Sequence, residues 1–312
     1  MRIVVAALTG SLALALGACG GTTADDLAAI DAVTDKAGFS VGLVKHGTDE
    51  TVVLRVPTEV GLEQAMTTEI SMTMKVEAQG HSQTAETSNS QDSTLRITAV
   101  EGDEIVVEST IDRASVDMGG DTQSEAIGQA IADGVVGTVS TQRWTDRGAI
   151  ISASLPDFDV DLPTGSAITS AQMNQLMNQM KSSMEDNAQA MSIPVPVEAV
   201  GVGTQWRATA KLSILGMPMK MSTTVTVTDI SADEVISDIE QTITYIPGDV
   251  EIEGQTVQIK GGEMNLDGTI RYPRTGAIAP LVDMAGDGTV EMKVRGTTIK
   301  QGIQMSQVTR RK

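Results

Sequence analysis

Along most of the chain apolar residues recur at every second position, the spacing of a half-buried strand. From Thr68 to Glu77, Ile70, Met72, Met74 and Val76 alternate with polar neighbours. Leu95, Ile97 and Ala99 continue the pattern, Glu101-Gly102-Asp103 makes a turn, and Ile105, Val107 and Ile111 resume it, which predicts a β-hairpin. The second half returns to the theme. Leu212 and Ile214 lead to Met219, Met221, Val225 and Val227, a turn at Ser231-Ala232-Asp233, and then Val235, Ile239, Ile243 and Tyr245.

These stretches read as copies of one unit. Leu95 to Val116 and Thr224 to Ile246 each carry an Asp-Glu pair at the opening of the second strand. Further on, Gly137-Thr138-Val139 to Gly148-Ala149-Ile150 parallels Gly268-Thr269-Ile270 to Gly276-Ala277-Ile278, with an arginine shortly before each Gly-Ala-Ile. Internal similarity of this kind points to duplicated architecture.

The period changes to 3.6 at one place between the halves. Thr169 and Gln172 form a capping box, after which Met173, Leu176, Met177, Met180, Met184 and Met191 fall on one helical face and Asn174, Gln175, Lys181, Ser182 and Asp186 on the other. Ser192-Ile193-Pro194-Val195-Pro196 ends that helix. A shorter helix is predicted over Gln123 to Asp133. The expected fold is therefore mainly β (α+β): two related antiparallel sheet units, a half-barrel or sandwich, with one long amphipathic helix packed on them.

The first twenty residues follow a different rule. Met1-Arg2 is a short positive start, Ile3 to Leu16 is almost wholly apolar, and small residues follow, the layout of a signal peptide. The apolar run is shorter than the roughly 20 residues that a membrane-spanning helix needs. Leu16-Gly17-Ala18-Cys19 resembles the lipobox of bacterial lipoproteins, which implies cleavage before Cys19 and fatty acid, palmitate included, on its thiol. Cys19 is the single cysteine of 312 residues, so the mature chain forms no internal disulfide and folds by burial alone. The expected organisation is a signal peptide over 1–18, a lipid-anchored tether over 19–36 with a helical turn or two, a first β-rich unit over 37–168, the long helix over 169–192 and a second β-rich unit over 193–312. The lipid on Cys19 is the expected link to a membrane, either the cell membrane or an outer membrane, with the body facing periplasm or exterior. Gly20 after the cysteine leans toward outer-membrane sorting in Gram-negative relatives.

Composition narrows the partners. Asp and Glu total 41 against 22 Lys and Arg, a net charge of −19, which argues against both nucleic acid and anionic lipid head groups as partners of the surface. Phe, Tyr and Trp number two each, while methionine numbers 17, so the core must rest on aliphatic residues and flexible thioethers.

Little in the chain points to catalysis. His46 and His81 are the only histidines, both amid polar residues, and no Gly-x-Ser-x-Gly elbow is present. No cofactor and no enzymatic activity are expected. Asp157, Asp159 and Asp161 alternate in a segment read either as a charged edge strand or as calcium ligands, with the edge strand the better account. Gly201-x-Gly203 reads as a turn leading into a strand, since no phosphate-cradling helix follows.

The passage from Pro194 and Pro196 through Glu198, Val200, Gly201 and Gly203 to Trp206 resembles a segment of β-rich bacterial lipoproteins of unknown function. The layout of a methionine-faced helix against a curved sheet is similar to carriers of the LolA and LppX types, which hold acyl chains inside an open barrel. That resemblance implies an apolar cavity lined by Met173, Met177, Met180 and Met184, taking an apolar small molecule or lipid. The alternative is a structural or interaction module that binds an envelope protein and has no cavity. An apolar space of several hundred cubic ångströms would separate the two.

Overall fold

A computed structural model describes residues 30–34, 38–48, 50–120, 122–157, 160–162, 169–186, 192–214, 217–252 and 255–312. The expectations placed on residues 1–29, Cys19 among them, lie outside the described residues. In chain order the strands are β1 (Ile30–Thr34), β2 (Ser40–Lys45), β3 (Thr51–Val52), β4 (Glu63–Ala78), β5 (His81–Glu101) and β6 (Glu104–Asp117). Helix α1 (Thr122–Val135) precedes β7 (Val139–Thr145) and β8 (Ile150–Ser154), and helix α2 (Ser170–Asp186) follows them. The second half holds β9 (Val200–Gly201), β10 (Gln205–Ile214), β11 (Met217–Ile230), β12 (Glu234–Tyr245) and β13 (Gly248–Ile252). It ends with β14 (Gln255–Pro273), β15 (Leu281–Val294) and β16 (Thr297–Arg311).

The fold is mainly β and antiparallel. Among the described residues one 14-stranded sheet runs in the order β1-β2-β10-β11-β12-β14-β15-β16-β4-β5-β6-β7-β8, with β13 added on β14, and β3 and β9 pair separately. The period-two pattern is what builds it. On β12, Val235, Ile239, Ile243 and Tyr245 face the core, and Ser237 and Gln241 share their buried face.

The two expected sheet units are joined in one sheet. The last strand, β16, pairs with β4 from Ile299↔Ala78 to Arg311↔Met66, so the edge that a second sheet would leave open fuses the halves into one. Strand hydrogen bonds do not close the ring, because β8 and β1 are its two edges. The expected unit boundaries shift as well. Residues 30–34, assigned to the tether, form β1 on β2, and β2 pairs with β10 of the second half.

The halves nonetheless repeat one another. Leu95 pairs with Ser109 and Val225 with Ile239, while Ile97 pairs with Val107 and Val227 with Ser237. Both ladders then break at the same place, between Ile97 and Ala99 in one and between Val227 and Asp229 in the other. Such a bulge is a specific local device, and finding it at matching positions marks a true structural copy. The next strand continues the match. Glu104 lies opposite Thr145 and Glu234 opposite Pro273, and Arg143–Glu104 and Arg271–Glu234 are both 3.4 Å apart.

The described helices are α1, of 14 residues, where the shorter helix is predicted, and α2, of 17 residues, within the predicted 169–192, of which 187–191 lie outside the described residues. The capping box at Thr169 is present: Gln172 N–H donates to Thr169 Oγ1 at 3.3 Å, and Thr169 N–H donates to Gln172 Oε1 at 2.9 Å. Helix α2 lies against β8 and β10 of the sheet. Met173 and Met177 bury themselves with Ile131 and Val135 of α1 and with Val160, because α1 offers a matching apolar stripe against β6. Asp157 and residues 160–162 lie in no strand, and 158–159 lie outside the described residues. Val160 N–H donates to Asn174 Oδ1 and Leu162 N–H to Ser170 Oγ, which fastens the segment to α2. No described helix is long and apolar enough to cross a membrane, which says nothing of strands.

Candidate functional site

The site is built by the two Gly-Ala-Ile corners. Gly148 and Gly276 adopt φ values of +80° and +64°, left-handed backbone that glycine takes without strain, and each turns the chain inward after its strand. Each corner then docks on the opposite half. Ala149 is buried in the main core with Trp206, Ile239 and Ile270, and Ile278 is buried with Leu95, Ile97 and Ile105 of the first hairpin.

Hydrogen bonds secure both docks. Gln64, at the start of β4 and fully buried, accepts from Ile278 N–H at 2.6 Å and from Ala279 N–H at 2.8 Å. Its Nε2 donates to Ala279 O at 3.2 Å. On the other side Val195 N–H donates to Arg147 O at 3.0 Å and Ile150 N–H to Ser192 Oγ at 3.2 Å. Trp206 Nε1 donates to Pro194 O at 3.2 Å, tying this strap to β10. A second strap, residues 51–56, joins through Val56 N–H to Asp146 O at 2.8 Å and through Arg55, whose guanidinium lies 3.0 Å from Asp146. That guanidinium also donates to Pro196 O at 3.1 Å and Val197 O at 2.8 Å.

Between the corners lies a cavity of about 420 Å³. Trp144 of β7 and Tyr272 of β14 both line it. Six strand spacings separate β7 from β14, roughly 29 Å on a flat sheet. A shared cavity of this size therefore requires the sheet to curl until its halves face each other. The Trp206 and Tyr272 rings, 6.2 Å apart from β10 to β14, show the same curvature.

The lining is mixed. Leu54, Val56, Met66, Trp144, Ile193 and Val282 give it apolar surface, while Thr68, Gln241, Gln307 and Thr309 add polar groups from the sheet. The Tyr272 hydroxyl and Gln307 Oε1 are buried without a hydrogen-bond partner among the described residues. Burial pushes the Tyr272 hydroxyl pKa far up, so it stays protonated and able to donate. The charged members of the lining are Arg55, Arg147 and Arg274.

Of the four methionines expected to line a cavity, the structure describes the side chains of two. Met173 and Met177 lie in the helix cluster and are not among the lining residues, and the side chains of Met180 and Met184 lie outside the described residues. His46 and His81 are exposed. Asp157 pairs with Lys181 at 2.6 Å, which holds its carboxyl below the usual range, chiefly by hydrogen bonding; Asp161 is exposed and Asp159 lies outside the described residues. No group of three His, Cys, Asp or Glu that could hold a metal occurs among the described residues. Sequence reasoning did not single out Tyr272, Gln241 or Gln307 as site residues. The available signal was a polar side chain at an inward position of an otherwise apolar row.

Comparison with solved structures gives distant likenesses. A lipovitellin structure concerned with lipid–protein interactions is 6% identical over 81% of this chain, with a TM-score of 0.39, and the match spans 25% of the lipovitellin chain. An outer membrane channel from Pseudomonas putida F1 is 7% identical over 82% of this chain and 97% of its own, with a TM-score of 0.24. OmpT of Vibrio cholerae, an outer membrane protein, is 8% identical over 80% and 99% of the two chains, with a TM-score of 0.21. Scores this low carry no argument about function. No curated protein matches the sequence. Residues 160–272, from the segment before α2 to the end of β14, match a family of unknown function (DUF6263).

Proposed function

We propose that this chain is a lipid-anchored protein of the cell envelope that binds a small amphiphilic ligand between the two corners of its curled sheet. The observation that carries the reading is the 420 Å³ cavity, within the range of about 300–1,000 Å³ usual for small-molecule sites. It draws its lining from both halves and from both straps. The anchoring part rests on the lipobox at Leu16-Gly17-Ala18-Cys19 and places the body at the cell membrane or an outer membrane. Binding is favoured over catalysis because the lining holds no His, Cys, Asp, Glu or Lys to serve as a strong base or activated nucleophile. A methionine-lined site on α2 is not part of the proposal.

The test is mass spectrometry of small molecules retained by the full chain carrying Cys19→Ser, beside the same chain with Val282→Trp, which fills the cavity. A retained amphiphile that disappears in the tryptophan variant is expected. Retention that is equal in both chains, or absent from both, would sink the reading. The second reading, a protein-interaction module, draws on Val53, Val197 and Val202, which stand exposed at 55%, 49% and 37% on and beside the straps. Capture of a specific envelope protein by both chains alike would favour it.

A further inference from the structure

The acidity of the molecule stops at the cavity. Acidic residues outnumber basic ones 41 to 22 over the chain, yet the lining contains three arginines and no aspartate or glutamate. Arg147 is the most enclosed of the three, 8% exposed, on the corner that the first strap clamps. Arg55 has its counter-charge in Asp146, which is 54% exposed and lies outside the lining. A guanidinium stays charged at any physiological pH and presents a planar donor array that suits a carboxylate or phosphate. On the facing corner the enclosed Tyr272 hydroxyl supplies a neutral donor, and the aliphatic residues of the straps supply the apolar contact surface.

We infer that the ligand is an organic anion: a single carboxylate or phosphate ester on an apolar body, with its head beside Arg147. This rests on the ligand-binding reading above and adds the sign of the head group to it. An acidic surface with a cationic cavity also excludes binding of anions by general attraction, so selectivity resides in the enclosed arginine.

The experiment measures binding of four probes with one tail, dodecanoate, dodecyl phosphate, dodecanol and dodecylamine, to the full chain carrying Cys19→Ser. Calorimetry is run below micellar concentrations. At least one anion should bind about 10-fold tighter than the alcohol and the amine, the factor one charge-assisted hydrogen bond supplies. Which anion leads distinguishes a carboxylate from a phosphate source. Arg147→Gln should shrink the gap between the better anion and dodecanol about 10-fold, and Arg147→Lys should restore part of it. Equal binding of all four probes, or preference for the amine, overturns the inference and leaves the cavity reading intact. Binding by none overturns both. Should Arg147→Gln fail to fold, the ranking of the four probes on the chain with native Arg147 decides alone.

Discussion

At the start of β4 stands Gln64, and at the matching place at the start of β10 stands Trp206: Gln64 pairs with Leu95, Trp206 with Val225, and those partners are equivalent in the two hairpins. Both side chains are buried, and each helps hold a Gly-Ala-Ile corner from the opposite half. Gln64 does so directly, with three hydrogen bonds to the backbone of Ile278 and Ala279. Trp206 does so at one remove, through Pro194 and the strap that grips Arg147 and Ile150. The difference follows from the sheet. β4 is sealed against β16 by a continuous ladder, so a corner can sit close and be reached by an amide. On the other side β8 is an edge with no ladder to β10, and bulk plus a strap must fill the gap. The asymmetry of an otherwise duplicated frame thus sets where chain is available to cover a cavity.

The largest effect is expected from erasing that difference. Trp206→Gln places the first half's residue in the second and removes a fully buried indole, which should cost about 4 kcal/mol in denaturant unfolding. A loss below about 1 kcal/mol would show that the straps, not the ring, hold the corner. Next comes Gly268→Ser. Its counterpart in the first half is Ser140, since Ile239 pairs with Gly268 and Ser109 with Ser140. A Cβ on Gly268 would meet Asp283 O at 2.0 Å, so the second half cannot accept the residue that the first half carries. A cost of about 3 kcal/mol is expected. Tolerance of serine would mean that β14 and β15 approach no more closely than β7 and β8.

The hairpins and their duplication were legible because alternation of Val, Ile and Met is local, and because Asp-Glu and Gly-Ala-Ile recur at nearly the same spacing. The capping box at Thr169 was legible for the same reason. The fusion of β16 to β4 was not, because strands so far apart in sequence carry no local mark of their partner. The place of the cavity between the corners was not legible for a related reason. Met173 and Met177 have the spacing of a buried face, but periodicity reports that a face is buried and not against what, and here it is a cluster with Ile131, Val135 and Val160. Gln64 read as an unremarked polar residue before the first predicted strand. Its importance comes from meeting Ile278 and Ala279, more than 200 positions away.

Gln64→Leu sharpens the comparison from the other side. The substitution keeps bulk but leaves the N–H groups of Ile278 and Ala279 without their acceptor, and Ile278 is buried. About 2 kcal/mol of destabilisation is expected, with faster amide exchange confined to residues 277–279. The corner at 148–150 should exchange as before. Faster exchange at neither corner, with stability unchanged, would make Gln64 a spectator and remove the parallel with Trp206.

The smallest effect concerns a charge present at the sealed junction and missing from its counterpart. Lys312, just past β16, donates from Nζ to Asp92 Oδ2 at 2.5 Å, reaching across β4 to β5, and Thr67 Oγ1 donates to Asp92 Oδ1 at 2.7 Å. The Lys312 hydrogen bond, then that of Thr67, holds the Asp92 carboxyl below its ordinary value. The matching position in the second half is Ser222, which cannot titrate. A carboxyl with a folded pKa below its unfolded one stabilises the fold at pH above the unfolded value, about 3.9, and the contribution is lost as pH falls through the folded value. Lys312→Ala should raise the Asp92 midpoint toward the ordinary one, as followed by NMR of the side-chain carboxyl. It should lower the melting temperature slightly at neutral pH, with the difference fading in acid and in high salt, since the pair is solvent-screened. An unchanged Asp92 midpoint would show that Thr67 alone sets it and that the C-terminal lysine contributes nothing to sealing the two halves.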